Sequence, residues 1–395
     1  MSQSFLPYGR HQIDEDDIAA VVDVLRHGML TCGPKVTEFE AAFADAVGAK
    51  EAIVCSNGTT ALHLAALAAG IGPGDKVVVP AVTFLSTANV VRMCGGDVVF
   101  ADVDADTGLM TAETLEDAIA RAGGTVKAIM PVHLNGQCVD MDDVKAVAER
   151  VGAAIITDCC HALGATYMQG GHPGDGQFED FACFSLHPVK SIAMGEGGVV
   201  TTNDAKAARR MRQLRGHDME RDSDRWKVAE QGFDSTGEAN PWYYEMQELA
   251  YNYRATDMQC ALGLSQLTKL EGFVARRAQI AEQYDKAFAS MSNQLKPVRR
   301  TKLAASGWHL YPVLIDFDAA GRERGAVMRA LQAHGVGTQV HYLPVPWQPY
   351  YLDLYGEADY PGAKAYYERV LSLPIYPAMT DADVARVVAA LKDVL

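Results

Sequence analysis

Between residues 51 and 202, short apolar runs alternate with stretches of helical period, and this alternation constrains the fold more than any other feature. The runs are Glu51–Cys55, Lys76–Pro80, Val98–Asp102, Lys127–His133, Ala154–Asp158, Phe181–Ser185 and Gly198–Thr202. Several are β-branched and nearly continuous in apolar character, as strands covered on both faces are. Helical patterns fall between them, for example Thr60–Ala69, Thr111–Arg121 and Met141–Val151. Such alternation predicts an α/β domain built on a large, mostly parallel, doubly covered sheet. Asn203–Arg215 reads as a further helix.

The pattern breaks at residue 216. Gly216–Tyr253 is polar, charged and aromatic, with Arg221-Asp222-Ser223-Asp224-Arg225-Trp226 and Pro241-Trp242-Tyr243-Tyr244. A loop this long inside a compact chain is functional or mobile. Helical period returns from Asp257 to about Ala289. A second alternation follows: strand Trp308–Phe317, helix Arg322–His334, strand Gly337–Tyr342, and helices near Ala363–Val370 and Asp381–Leu395. The expected division is a large domain over 1–255, with the 216–253 loop inside it, and a linking helix with a smaller C-terminal α/β domain over 256–395.

Composition narrows the function classes. The chain has 395 residues and a formal net charge of −15. A dedicated nucleic-acid binder needs a cationic face for phosphates, so that class is set aside. No run of about 18 uninterrupted apolar residues exists to span a membrane. Met1–Asp14 lacks a charged stretch followed by an apolar run, so no secretory signal is expected. The eight cysteines are scattered, with no CxxC pair. Together these readings predict a protein of the reducing cytoplasm.

Three places carry chemistry. Ser56-Asn57-Gly58-Thr59-Thr60 follows a strand and opens a helix, where free N–H groups and a partial positive charge suit a phosphate. Ser, Asn and Thr are also good helix caps, and for such a segment alone that is the commoner role. Asp158 ends an apolar strand, where a carboxylate points into the usual ligand crevice or caps the next turn. Cys159, Cys160 and His161 follow it, but contiguous residues cannot all reach one tetrahedral ion, so no metal is expected. Lys190 lies between Ser185-Leu186-His187-Pro188-Val189 and Gly195-Glu196-Gly197-Gly198, held between two apolar strands. A lone loop lysine is usually a solvated charge. Near a phosphate site and a carboxylate, it suits imine chemistry. Pyridoxal 5'-phosphate requires that set: an anion site, an acid for the pyridine nitrogen, and an amine.

The motifs Thr157-Asp158-Cys159-Cys160-His161-Ala162-Leu163-Gly164-Ala165, Ser185-Leu186-His187-Pro188-Val189-Lys190 and Gly195-Glu196-Gly197-Gly198 resemble those of the sugar-nucleotide aminotransferases of the DegT/DnrJ/StrS family, fold-type I pyridoxal phosphate enzymes. The resemblance covers nearly the whole chain, through Gly33-Pro34, Ser56-Asn57-Gly58-Thr59, Thr83-Phe84 and Tyr251-Asn252-Tyr253-Arg254 to His341-Tyr342. It implies that Lys190 forms the Schiff base and shuttles the proton, and that Asp158 pairs with the pyridine nitrogen. It places His161 near the phenolic oxygen and Phe84 against the ring, with Gly58, Thr59 and Ser185 on the phosphate. It implies that Asn252 reaches the phosphate from the second copy of a homodimer with shared active sites. Tyr8, Met29, Leu30, Thr31, Ser56, His187, Arg254, His341 and Tyr342 are implied at the substrate. Leu186 departs from the pattern, since Phe is commoner there, and an apolar swap of this kind is tolerated.

A finer resemblance is to the transaminases of pseudaminic acid synthesis. It rests on Leu6-Pro7-Tyr8-Gly9-Arg10, Trp242-Tyr243-Tyr244-Glu245-Met246-Gln247-Glu248-Leu249, Val340-His341-Tyr342-Leu343-Pro344-Val345, Gln348-Pro349-Tyr350-Tyr351 and Leu371-Ser372-Leu373-Pro374-Ile375-Tyr376-Pro377. The implied substrates are L-glutamate and a UDP-linked 4-keto-6-deoxy-N-acetylhexosamine. The implied product is UDP-4-amino-4,6-dideoxy-N-acetyl-β-L-altrosamine. The alternatives are amino transfer to another nucleotide 4-keto sugar, of the legionaminic acid, bacillosamine or perosamine type, and sugar dehydration. Relatives that dehydrate carry His where this chain has Lys190. A non-catalytic cofactor-binding protein would not need that lysine, and no GxGxxG supports a Rossmann dehydrogenase.

Overall fold

The computed structural model describes residues 4–289, 291 and 295–395, so the first three residues of Met1–Asp14 lie outside the description. Its large sheet uses β1 (Glu51–Cys55), β2 (Lys76–Pro80), β3 (Asp97–Ala101), β4 (Ala128–Ile129), β5 (Ala154–Asp158), β7 (Phe181–Ser185) and β8 (Gly198–Thr202), while the short β6 (Thr166–Tyr167) pairs apart from it. The spatial order is β1-β8-β7-β5-β4-β2-β3. Only β8 is antiparallel to its neighbours, so six strands share one direction. β8 is buried at every residue, as a strand covered on both faces must be. Because β1, β5 and β7 run the same way, Cys55, Asp158 and Ser185 all end at one edge of the sheet, and the chemistry collects there.

Helix Gly58–Ala68 packs across β7 and β8 and against helix Leu85–Met93. Its start is set by Asn57, whose side chain accepts from Thr60 N at 2.9 Å. Helix Met141–Val151 spans its expected residues and ends at Gly152 in the left-handed region, where glycine carries no Cβ penalty. Helix Asp381–Val394 begins with a reciprocal Thr380/Asp383 capping box.

A second core surrounds the small three-stranded sheet of Leu295–Pro297, Tyr311–Ile315 and Val370–Leu373. Leu6 from the N-terminal segment belongs to this second core and bridges Val336. Tyr351, Tyr360 and Tyr366, late in the chain, pack in the first.

Some expected elements differ. Lys127–His133 is a ladder only at Ala128–Ile129, because Pro131 has no N–H to donate. Beyond it, Val132 makes a single bridge to Asp158. Gly337–Tyr342 is not a strand: Gly337 N donates to Leu6 O and Gln339 N to Ser372 O, and one short run split between two partners forms no ladder. Trp308 sits at φ +50°, so the strand begins at Tyr311. The helical period after Asp257 is two helices, Asp257–Leu267 and Leu270–Phe288. The 216–253 loop carries its own structure: Met219–Glu220 pairs with Glu245–Met246. There Glu245 accepts from Lys227 N at 2.6 Å and Val228 N at 2.7 Å, and Trp226 packs edge-on against Tyr243.

Candidate active site

Asp158 is 5% exposed at the end of β5. Both of its oxygens already accept hydrogen bonds: Oδ2 from Thr87 Oγ1 at 2.7 Å and Oδ1 from Cys160 N at 3.0 Å. Thr83 Oγ1 lies 2.9 Å from Thr87 Oγ1. The Thr87 proton is committed to Asp158, so Thr83 donates to Thr87.

Gly58 opens its helix directly against Ser185. A Cβ at Gly58 would stand 2.8 Å from Ser185 Cβ, closer than side chains tolerate. The missing side chain leaves a cradle formed by the first-turn N–H groups and the Ser185 hydroxyl, a geometry suited to a phosphate. Thr59 Oγ1 is 2.6 Å from Ser86 Oγ at its rim.

Lys190 follows β7 through a tight turn, with its N–H on His187 O at 2.8 Å. It is half-buried. Enclosure by protein holds its ammonium below the ordinary lysine range, and the nearby Cys160 and Asp158 oppose that shift. Burial, then Lys190 and His341, push His161 well below the ordinary histidine range. His161 is therefore neutral, and its Nδ1 accepts from Asn135 N at 3.3 Å. The remaining proton is on Nε2, 3.2 Å from the Tyr342 hydroxyl. Burial, then Lys190, takes His341 down to about 3, and its Nδ1 is 2.9 Å from Ser372 Oγ.

These groups border one cavity of about 670 Å³. Of the residues expected from the sequence, Tyr8, Gly58, Thr59, Phe84, Asp158, His161, Ser185, His187, Lys190, His341 and Tyr342 line it. Six expected residues do not line it within their own chain. Met29, Leu30 and Thr31 are exposed in the connection between helices Glu15–His27 and Pro34–Val47. Ser56 turns inward, its hydroxyl 3.2 Å from Thr60 Oγ1. Asn252 is exposed and bridges Gly216 through its backbone, and half-buried Arg254 follows it on the same returning segment.

Sequence reading missed Thr87, Asn135, Glu196 and Gln339. Thr87 carried a faint signal, a hydroxyl in the first turn of the helix that follows Thr83-Phe84. Asn135, in the short turn Leu134–Gly136, and Gln339, in a loop, arrive along paths no local pattern marks.

The residues fit pyridoxal phosphate: an anion cradle kept open by Gly58, a buried carboxylate, a partly desolvated amine and the Phe84 ring share one space. A second cavity, of about 740 Å³, is lined mostly by apolar groups, including Leu163, Leu270 and Val274. Two of its polar groups are engaged elsewhere, His172 Nδ1 with Ala165 O at 2.9 Å and Arg300 with Asp285. No helix among the described residues is long and apolar enough to cross a membrane.

Residues 11–392 match the model of the DegT/DnrJ/EryC1/StrS aminotransferase family. The chain is 40% identical over 394 residues to the spore coat polysaccharide biosynthesis protein SpsC of Bacillus subtilis, covering 99% of this chain and 97% of that one. Among solved structures it resembles Helicobacter pylori PseC, an aminotransferase involved in pseudaminic acid biosynthesis, with TM-score 0.87, 27% identity and 99% of each chain covered. It also resembles the PLP-form structure of Spr1654 from Streptococcus pneumoniae, with TM-score 0.85, 29% identity, and 99% of this chain and 98% of that one covered. The chain therefore belongs to the DegT/DnrJ/EryC1/StrS family, as a PLP-dependent sugar aminotransferase.

Proposed function

We propose that this enzyme transfers an amino group from L-glutamate to C4 of a UDP-linked 4-keto-6-deoxy-N-acetylhexosamine, giving UDP-4-amino-4,6-dideoxy-N-acetyl-β-L-altrosamine for pseudaminic acid biosynthesis. The observation that carries the chemistry is the single cavity shared by Lys190, Asp158 and the Gly58–Ser185 cradle. The choice of sugar rests on the likeness to PseC over the full chain. The 40% identity to SpsC favours a second reading, amino transfer to a different nucleotide 4-keto sugar.

Bound pyridoxal phosphate supplies the electron sink that lowers the barrier to breaking the C–H bond. The chain supplies the rest. The Gly58 and Thr59 N–H groups and the Ser185 hydroxyl hold the phosphate. Asp158, oriented by Thr87 and Cys160 N, holds the proton of the pyridine nitrogen. Phe84 would lie against the ring. His161, whose Nε2–H meets the Tyr342 hydroxyl, would stand near the phenolic oxygen. Lys190 Nζ would take up the proton from the donor's α-carbon and hand it on across the nitrogen during amino transfer. Its lowered proton affinity keeps more of the free amine available for that work.

Lys190 is the one Lys or Arg among the described residues that line the cavity. A nucleotide diphosphate seeks cationic partners. This supports a homodimer in which Asn252, Arg254 and the 29–31 segment of the second copy complete the site. The eight unpaired thiols support a cytoplasmic setting.

The test mixes protein, pyridoxal phosphate and L-glutamate separately with the L-arabino and D-xylo UDP-4-keto sugars, and follows amine by mass spectrometry. Amine mainly from the L-arabino sugar is the expected result. Amine from the D-xylo sugar alone moves the enzyme to the bacillosamine or legionaminic branch. No amine from either refutes the sugar assignment. Lys190→Ala should abolish turnover, and undiminished turnover would refute its role.

A further inference from the structure

His309 lies outside the cavity lining, yet its ring sits on His161. The centroids are 4.3 Å apart and the planes 41° apart. His309 is 4% exposed, and its Nδ1 has no hydrogen-bond partner among the described residues. The two rings meet tilted, with no hydrogen bond through that nitrogen.

The turn that delivers this ring is strained and held. Trp308 has φ +50°, a region that disfavours bulky residues. Arg277, 1% exposed on helix Leu270–Phe288, reaches across to it. Its guanidinium donates to Trp308 O at 3.3 Å, His309 O at 3.2 Å and Ile375 O at 3.0 Å. It also donates to Lys190 O at 3.4 Å. One buried arginine thus ties the linking helix, the small domain and the lysine turn together, through carbonyls. His161 is gripped from three directions: by Asn135 N–H at Nδ1, by Tyr342 beside Nε2, and by the His309 ring.

We propose that His309 is a positioning residue, whose ring, fixed by Arg277 at the Trp308 turn, holds His161 with its Nε2–H facing Tyr342 and the cofactor pocket. Burial, with His161, Lys190, Arg277 and His341 facing it, keeps His309 uncharged. It therefore acts through shape, and an uncharged aromatic ring should replace it.

The inference rests on the reading that pyridoxal phosphate binds beside His161. Its test is the pH midpoint of the bound cofactor's visible absorbance, measured on holoenzyme. His309→Leu keeps volume but loses the aromatic ring, and should move the midpoint by about half a pH unit. The shift should follow the direction that His161→Ala produces. His309→Phe should restore the wild-type midpoint. The double variant H161A/H309L should lie with H161A, because both act through one ring.

A wild-type midpoint in H309L beside a moved H161A overturns the proposal. So does an additive double variant, an H309F midpoint as far displaced as that of H309L, or an unmoved H161A. If H309L does not fold, His309→Asn is read in the same way. Wild-type protein that takes up no pyridoxal phosphate overturns the cofactor reading as well. Cofactor uptake with an unmoved H309L overturns this inference alone.

Discussion

Replacing Thr87 by valine removes one hydroxyl at the point where the carboxylate of Asp158 is oriented. Thr87 is 0% exposed and Asp158 5%, so no solvent stands ready to replace the 2.7 Å bond. A lost hydrogen bond to a buried acceptor costs about 1–3 kcal/mol. The same substitution strips Thr83 of its acceptor at 2.9 Å, which places the expected loss in the upper half of that range. About 2–3 kcal/mol is roughly a 30- to 150-fold rise in the unfolding constant, at 1.4 kcal/mol per tenfold. The urea midpoint of Thr87→Val should fall accordingly, with an unchanged slope. Thr87→Ser keeps the hydroxyl and should stay near wild type. Equal midpoints for valine and wild type, or a serine variant as weak as the valine one, would refute the argument.

Gly58→Ala places a Cβ 2.8 Å from Ser185 Cβ and closes the anion cradle. The crowding should cost about 1–3 kcal/mol of stability, and pyridoxal phosphate binding should weaken about tenfold or more; a cofactor titration of the folded variant with unchanged affinity would sink this. His133 is buried, which takes it down to about 3, with Val139 N donating to its Nδ1 at 3.2 Å and Tyr167 Oη 3.2 Å from its Nε2. The unfolded chain protonates this histidine near pH 6.5 while the folded one resists until near 3, so its contribution is lost as pH falls through that window. His133→Asn should therefore flatten the slope of stability against pH by about 1.4 kcal/mol per pH unit between roughly pH 6 and 4; urea titrations across those pH values with an unaltered slope would disprove it.

The large sheet was legible because each of its long strands announces itself locally. β1, β2, β5, β7 and β8 coincide with apolar runs, since strands buried on both faces need apolar residues at nearly every position. The small domain was less so. Gly337–Tyr342 is apolar enough for a strand, but its backbone is divided between Leu6 and Ser372, partners more than thirty residues away in either direction. Register with distant partners leaves no mark in a local window. The internal pairing of the 216–253 loop left as little trace: its composition is polar and charged, and Glu245 and Asp218 spend their carboxylates on its own backbone, Asp218 accepting from Gln247 N at 2.8 Å and Glu248 N at 2.7 Å.

The site divides along the same line. Asp158, Ser185 and Gly58 could be placed beforehand because parallel strands end together, and whatever follows them shares an edge. The residues that orient those groups come from elsewhere. Thr87 holds Asp158 from 71 residues upstream, and Tyr342 meets His161 from 181 residues downstream. Their chemistry is ordinary, a hydroxyl and a phenol, and only the fold makes it specific. For that reason substitutions at Thr87 and His309 are sharper probes of the geometry than the loss of Lys190, which would stop turnover under any arrangement of its neighbours.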